Sequence, residues 1–388
     1  MARRIAKPKY EIVGELEQFD EADNAQARGE MKPDSELWRA YYDKHPELEN
    51  LGRGWLRLPG LGNVGPIEDR LYVPAMMSTI DMMSRDEHLE GPPSPQKFEM
   101  TPEEASRRLK AFARHLGADL VGIGPLNPAW VYSRVGRSHY PGKEIGVPIN
   151  LAHQHAIVVA VHLNRRMLQC APQLPTVAET IKNYLKIATI TVALGNYLRF
   201  LGYSARANTV ENYQVLAVPI AVDAGLGELG RNGVLITEEY GNAVKLGVVT
   251  TDMPLVHDQP VDIGADEFCR DCKLCARYCP IGAIPEGDKV VVRGVRKWKI
   301  NDGACYGFWR RAGTDCGVCL SVCPWSRPRH FPHNLITKAV QSSSLARRIA
   351  IAADDRLLKR HIADAPDWFA EQPQDWRQVL KKGHPYNR

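Results

Sequence analysis

Eight of the chain's nine cysteines lie in two short runs, and this arrangement restricts the possible fold more than any other feature of the sequence. The first run, C-x2-C-x2-C-x3-C-P, contains Cys269, Cys272, Cys275 and Cys279. The second, C-x10-C-x2-C-x3-C-P, contains Cys305, Cys316, Cys319 and Cys323. Short spacers of this kind bring several thiolates to one inorganic centre.

The spacing is that of the bacterial ferredoxin type, in which two such runs hold two 4Fe-4S clusters. In this arrangement the fourth cysteine of each run, followed by proline, ligates the other cluster. The sequence therefore predicts one cluster on Cys269, Cys272, Cys275 and Cys323. It predicts the second cluster on Cys305, Cys316, Cys319 and Cys279. The ten-residue interval after Cys305 is the one departure from the pattern.

Two other interpretations of the cysteines are structural zinc and disulfides. Zinc needs two C-x2-C pairs and four ligands, which leaves the remaining cysteines without a role. Disulfides are typical of secreted chains, and we find no secretion signal in this sequence. We therefore expect two clusters. The ninth cysteine, Cys170, stands apart and is predicted to be a small buried side chain.

Bulk properties exclude several classes of protein. The formal net charge of +5 is spread over 388 residues without a dense Lys/Arg run, so we expect no nucleic-acid partner. No run of 18 apolar residues is present, so we expect no membrane span. Arg3 and Arg4 are not followed by a long apolar region, as an export signal would require, so a cytoplasmic location is predicted.

Four regions are predicted along the chain. Residues 1–100, rich in Pro, Gly and acidic residues, are expected to form an extended arm around a core at 101–255. The cysteine unit is expected at 256–335. A C-terminal helix and tail at 336–388 are expected to pack on the core.

The core region has the signals of a mixed helix and strand fold. A capping box from Thr101 to Glu104, with Pro102 between them, predicts a helix start. Apolar, β-branched runs predict strands at 119–124 and 155–163, with a long amphipathic helix at about 176–201. Residues 218–252 then predict a helix, a glycine-rich turn, a strand, a second turn and a strand. This alternation favours an α/β fold class, or α+β.

The two clusters imply a second redox centre in the core, because iron–sulfur clusters transfer only single electrons. A G-x-G-x-x-G dinucleotide fingerprint is absent. The glycines of GLGELGRNG indicate either close approach of the backbone to a cofactor or an ordinary helix–loop–strand corner. These glycines are Gly225, Gly227, Gly230 and Gly233.

With these motifs in view, the chain resembles the corrinoid-dependent reductive dehalogenases. The similar segments are LRFLGYSARAN, VPIAVDAGLGELGRNGVLITEEYG, LGVVTTDMPL and the two cysteine runs. The resemblance implies a nitroreductase-like core that binds a base-off cobalamin or related cobamide, with the ferredoxin-like unit beside it. One cluster would lie near the corrin, and the other would face the electron donor.

The resemblance also implies site residues. Tyr184 occupies the position of the proton donor, Lys245 that of a cation which stabilises the phenolate, and Asn212 that of a hydrogen-bond partner for substrate or tyrosine. The glycines above and Arg231 would contact the cofactor; for Arg231, an ion pair with Glu228 is the slightly favoured alternative. Without the resemblance, the residue types alone indicate a core tyrosine, a solvated lysine and a turn asparagine.

The sequence thus predicts a reductive dehalogenase acting on a small, aromatic organohalide, with electrons from a separate ferredoxin or flavodoxin. Two alternatives are an epoxyqueuosine reductase acting on transfer RNA and a non-catalytic corrinoid or electron-transfer protein.

Overall fold

A computed structural model describes residues 2–137, 145–327, 336, 339–341, 343–357 and 362–370. Its helices are α1 (Ala25–Glu30), α2 (Glu36–Tyr42), α3 (Pro46–Trp55), α4 (Ile67–Arg70), α5 (Tyr72–Met83), α6 (Asp86–Leu89), α7 (Pro102–His115), α8 (Arg165–Gln169), α9 (Leu174–Phe200), α10 (Ala217–Asp223), α11 (Ala265–Cys272), α12 (Leu274–Arg277), α13 (Asp302–Ala312), α14 (Val318–Ser321) and α15 (Ser344–Leu357). Its strands are β1 (Arg3–Arg4), β2 (Glu11–Ile12), β3 (Leu120–Pro125), β4 (His155–His162), β5 (Ala205–Asn208), β6 (Glu228–Leu229), β7 (Leu235–Ile236), β8 (Val244–Thr251), β9 (Val261–Asp262), β10 (Val290–Val292) and β11 (Val295–Lys297).

The central sheet has four antiparallel strands in the order β3-β4-β8-β5. Its two middle strands pair over their whole length, with Val158 opposite Val248. They read as nearly continuous apolar runs because helices or loops cover both faces of the sheet. Helices α7 and α9 pack on one face, and α10 packs on the other.

The predicted elements of the core are confirmed. Helix α7 begins where expected, with the Thr101 hydroxyl accepting a hydrogen bond from the Glu104 N–H at 3.2 Å. Strands β3 and β4, helix α9, and the order of α10, β7 and β8 also lie where the sequence places them. The mixed fold class is therefore confirmed, and antiparallel strand pairing makes the core α+β.

The expected extended arm at 1–100 is wrong for most of its length, because α1–α6 lie within it. Side chains cap two of these helices: Asn24 accepts from the Gln26 N–H and Ser35 from the Trp38 N–H. Several aromatic side chains of this region pack together, including Trp38 and Tyr42. Four of these helices have only four to seven residues, too few to repeat an apolar period. The two longer helices, α3 and α5, have ten and twelve residues and were missed by the sequence prediction.

The cysteine unit contains α11–α14 and shares strands with the N-terminus. Strand β1 pairs with β9, and β2 adds to the β10–β11 hairpin. Phe268, Trp298 and Trp325 form part of a small apolar core beneath Cys269 and Cys272.

The C-terminal region divides between the two units, which corrects the expectation that it packs only on the core. Helix α15 packs against α11, with Arg347 paired to Asp271 at 3.2 Å. Phe369 instead inserts between α5 and α9. The rest of the predicted tail lies outside the described residues. Within the described part of the chain, every helix is too short or too polar to cross a membrane.

Candidate functional site

The eight clustered cysteines all lie on or beside the short helices of the cysteine unit. α11 carries Cys269 and Cys272, α12 carries Cys275, α13 carries Cys305 and α14 carries Cys319. The other three cysteines lie in adjoining turns: Cys279, Cys316 and Cys323. Among the described residues, no disulfide joins any two of the nine cysteines.

The clustered thiols act on one another electrostatically. Burial raises the pKa of Cys275, and so do the nearby thiols of Cys269, Cys319, Cys323 and Cys272. Burial likewise raises the pKa of Cys305 to about 12, with contributions from Cys319 and Cys279. Cys319 acts on members of both predicted groups, so the division of the eight ligands into two groups of four stays a prediction. Because thiols buried together resist ionisation, a cationic iron centre would stabilise their thiolates.

The spacing of the sulfurs separates the zinc and cluster interpretations. Four thiolates around one zinc ion at about 2.3 Å lie roughly 3.8 Å from one another. In the described residues no three cysteine sulfurs lie within 4.8 Å of one another. The thiols therefore surround a larger centre better than a single ion. Cys170 takes no part: its side chain is fully buried and donates to the carbonyls of Arg166 and Asp364.

Tyr184 and Lys245 meet next to the cysteine unit. Tyr184 is half-buried on α9, and Lys245 lies on β8, the strand beneath that helix. The Lys245 Nζ lies over the Tyr184 ring, 5.1 Å from its centre. Burial opposes the charge of Lys245, but Tyr184 and Asp315 together hold its pKa above the ordinary value. The fold thus brings together the predicted phenol and cation.

Asp315 completes this pair and was missed by the sequence analysis. Its Oδ2 lies 3.7 Å from the Lys245 Nζ and accepts a hydrogen bond of 2.5 Å from the Thr180 hydroxyl. Burial raises the pKa of Asp315, with Lys245 and Thr180 opposing that shift. Its position immediately before Cys316 is the only sequence signal, and it does not distinguish this carboxylate from other loop acids.

A cavity of about 430 Å³ opens beside Tyr184, a volume typical of ligand pockets. Its walls come mainly from residues 208–210, 215–219 and 246–248. Four further aromatic rings line it: Tyr10, Trp130, Tyr132 and Tyr213. A flat, mostly apolar ligand therefore suits this cavity better than a polar one.

One lysine in the cavity wall bears on whether a corrinoid fits. Lys297 lines the cavity. Burial lowers its pKa, as do the neighbouring charges of Lys299 and Arg293. In a bound corrinoid the apolar wall would contact the macrocycle, and the Lys297 amine would be the group available to a phosphate.

Asn212 is not brought to the cavity, which corrects its predicted role. Its side chain is fully buried and held by structural hydrogen bonds. Its Oδ1 accepts from Arg206, and its Nδ2 donates to the Ser84 carbonyl and the Asp86 carboxylate. Such a saturated amide has no group left for substrate or for Tyr184.

The predicted cofactor contacts are also mostly corrected. A Cβ at Gly225 or Gly227 would collide with backbone carbonyls, of Gln259 and Ile236, so tight chain packing accounts for these glycines. Gly230 likewise packs against Ile236. Only Gly233, with φ +77°, lines the cavity.

Arg231 contacts neither the cavity nor Glu228. Its guanidinium donates to the carbonyls of Cys269 and Pro285, among others, and stacks on Trp298 at 4.5 Å. Glu228 instead accepts from backbone N–H groups at the start of α11. Arg231 therefore joins the core to the cysteine unit.

Comparison with known proteins agrees with this geometry. Residues 268–326 match the 4Fe-4S dicluster domain family. The tetrachloroethene reductive dehalogenase of Sulfurospirillum multivorans is 33% identical over 300 residues, which cover 69% of this chain and 60% of that protein. The catabolic reductive dehalogenase NpRdhA, in complex with 3-bromo-4-hydroxybenzoic acid, superposes with a TM-score of 0.76 at 25% identity, covering 97% of this chain and 52% of that one. An epoxyqueuosine reductase of Lactococcus garvieae is 31% identical over 132 residues, only 30% of this chain and 34% of that protein.

The fold and the cysteine runs define an iron–sulfur protein with a dicluster domain. The chain belongs to the reductive dehalogenase family. It spans 60% of the length of the tetrachloroethene enzyme, so the activity of the whole relative is not transferred to it directly.

Proposed function

We propose that this protein is a reductive dehalogenase that cleaves the carbon–halogen bond of a small aromatic organohalide. The observation that carries the proposal is the Lys245 ammonium, 5.1 Å from the centre of the Tyr184 ring, beside an aromatic-lined cavity and the unit that carries the eight clustered thiols. The proposed proton donor, the cavity for a flat ligand and the proposed iron–sulfur unit are thus neighbours in the fold.

Two cofactors are proposed. The two groups of cysteines would hold 4Fe-4S clusters, which transfer single electrons. The cavity would hold a base-off cobamide, with Lys297 near its phosphate; when bound, a corrinoid supplies the reduced cobalt that breaks the carbon–halogen bond.

Tyr184 is proposed to deliver the proton. A phenol is a weak acid by itself, but a neighbouring ammonium stabilises the phenolate left after proton transfer. Lys245 can do this because its ammonium lies over the Tyr184 ring while burial excludes most water. The cavity walls orient the halogenated ring towards Tyr184.

The overall reaction consumes two electrons and one proton. The carbon–halogen bond breaks, a carbon–hydrogen bond forms, and halide leaves with the electron pair. A cytoplasmic one-electron carrier of the ferredoxin or flavodoxin class is proposed as the donor.

Replacing Tyr184 by Phe tests the proposal. We expect dehalogenation of a bromophenol to fall by about 10²–10⁴-fold, the usual contribution of a general acid. Cobalt and iron content and the electron paramagnetic resonance spectra should not change. Tyr197→Phe is the matched control, since Tyr197 lies on the same helix but packs on Phe112 in the core.

Two outcomes contradict the proposal. Undiminished turnover by Tyr184→Phe would remove the proton-donor role and favour a non-catalytic corrinoid protein. A purified protein that reduces epoxyqueuosine in transfer RNA, and no organohalide, would favour the alternative suggested by the shorter match to epoxyqueuosine reductase.

A further inference from the structure

A buried carboxylate lies behind the proposed acid pair, and the chemistry described so far does not require it. Asp315 is 10% exposed and Lys245 17% exposed, so both charges are largely removed from water. Burying one such charge is unfavourable unless a partner compensates it. The buried Asp315 carboxylate therefore contributes either to stability alone or to the arrangement of Lys245 and Tyr184.

The geometry of the surrounding groups favours a role in arranging the site. Thr180 lies one helical turn before Tyr184 on α9, so both side chains point to the same side of the helix. The Thr180 hydroxyl holds the Asp315 Oδ2 at 2.5 Å. The same oxygen lies 3.7 Å from the Lys245 Nζ. The ammonium is thus held between a fixed carboxylate and the phenol.

The loop that carries Asp315 is itself fixed to the start of α9. The Thr314 hydroxyl donates to the Pro172 carbonyl at 2.6 Å and accepts from the Cys316 N–H. The Gly317 N–H donates to the Asp315 carbonyl at 2.8 Å. A Cβ at Gly317 would come within 2.6 Å of the Thr176 side chain, so the loop lies tightly against the helix. The backbone at Asp315 is therefore held in place beside α9, and the Thr180 hydroxyl holds its carboxylate.

The ionisable groups that lie against Lys245 include Tyr184, Asp315 and the Cys319 thiol. Asp315 is the carboxylate in this set, and its Oδ2 lies 3.7 Å from the ammonium. Without the carboxylate, the ammonium would lose both its charge partner and its preferred position over the ring.

We propose that Asp315 is a positioning residue, which holds the charged Lys245 side chain against the Tyr184 phenol from a loop anchored by Thr180. The consequence for turnover rests on the proposed dehalogenase function, whereas the position and charge of Lys245 can be measured without it.

Asp315→Asn is the principal test, because asparagine keeps the shape and can still accept from Thr180. The matched control is Asp258→Asn. Asp258 also pairs with a half-buried lysine, Lys110 at 2.5 Å, and accepts from the Ile123 N–H, but its lysine is not the one that lies over Tyr184. Competitive labelling with acetic anhydride across pH, analysed by mass spectrometry, reports the titration of the Lys245 amine in each variant.

We expect Asp315→Asn to lower the pH at which Lys245 becomes reactive by about one unit or more, as loss of an opposite charge at this range predicts. Turnover of a bromophenol should fall roughly tenfold with little change in KM, less than the loss expected for removing the proton donor itself. Asp258→Asn should change neither measurement. Thr180→Val, which keeps the charge but removes its anchor, should act in the same direction with a smaller effect.

Unchanged Lys245 labelling in Asp315→Asn would overturn the proposal, and so would shifted labelling with undiminished turnover. If labelling shifts but the wild-type protein dehalogenates no haloaromatic compound, the positioning of Lys245 stands and the proposed function fails. If Asp315→Asn does not fold or loses iron, the Lys245 labelling and the turnover of Thr180→Val test the proposal instead.

Discussion

The junction between the core and the cysteine unit gives the most quantitative prediction. The Glu228 carboxylate on β6 is 2% exposed and accepts hydrogen bonds from the N–H groups of Ile263, Gly264 and Asp266. These donors surround the start of α11, where N–H groups have no partner within the helix. α11 in turn carries Cys269 and Cys272. Glu228 therefore fixes the helix that presents two thiols of one group.

The cost of Glu228→Ala follows from counting the donors left unpaired. Gly264 N–H keeps the Asp262 carboxylate at 3.0 Å, so only the donors of Ile263 and Asp266 lose their side-chain acceptor. Each unpaired buried donor costs about 1–3 kcal/mol, which gives roughly 2–6 kcal/mol. Burial raises the pKa of Glu228, so removing the carboxyl also relieves a desolvation cost. We therefore expect a net loss of about 3 kcal/mol.

The matched control is Glu267→Ala. Glu267 pairs with the same lysine, Lys9, at 2.7 Å, but it is 34% exposed, and an exposed pair contributes about 0–1 kcal/mol. The assay is anaerobic thermal unfolding with iron analysis, together with hydrogen exchange at the amides of residues 263 and 266. Glu228→Ala should exchange faster there and lose iron. Equal melting temperatures and iron contents for the two variants would refute the argument.

The pH dependence of the same site has a defined sign. The pKa of Glu228 is higher in the folded protein than its ordinary value of 4.5. The contribution of this carboxyl group to the free energy of unfolding is therefore complete at pH values below 4.5. That contribution declines as the pH rises through the folded pKa. Glutamine does not titrate. The loss in free energy of unfolding that Glu228→Gln causes should therefore be smaller at pH 7 than at pH 4. The opposite trend in melting temperature would contradict the sign.

Two further predictions concern single side chains. Asn212→Ala should lower the free energy of unfolding by about 2–4 kcal/mol, because the buried Arg206 Nη2 loses its amide acceptor and the Ser84 carbonyl loses its donor. Turnover per folded molecule should stay within about twofold; a large loss of turnover in fully folded protein would restore the predicted catalytic role of Asn212. Cys305→Ser should halve the iron bound per chain. The control is Cys170→Ser, at a thiol whose pKa burial raises to about 11, and it should leave the iron content unchanged. Equal iron contents in the two variants would show that Cys305 is not a cluster ligand.

The sequence alone determined the features that depend on short-range interactions. Thiol spacing within a run is fixed by a few peptide units, so the dicluster domain at residues 268–326 could be predicted. The start of α7 followed from the hydroxyl of Thr101 and from Pro102, which act within one turn. The buried strands followed from their composition, because both faces of the sheet are covered.

Tertiary structure decided which polar groups meet. Tyr184 and Lys245 lie far apart in the sequence, and only the packing of α9 on β8 brings them together. Asp315 joins them because its loop folds back onto the start of α9. The same long-range packing directed Arg231 and Asn212 to backbone and side-chain partners, away from the cavity. A buried polar side chain must be satisfied by whichever groups surround it in the fold, and those groups come from distant parts of the chain.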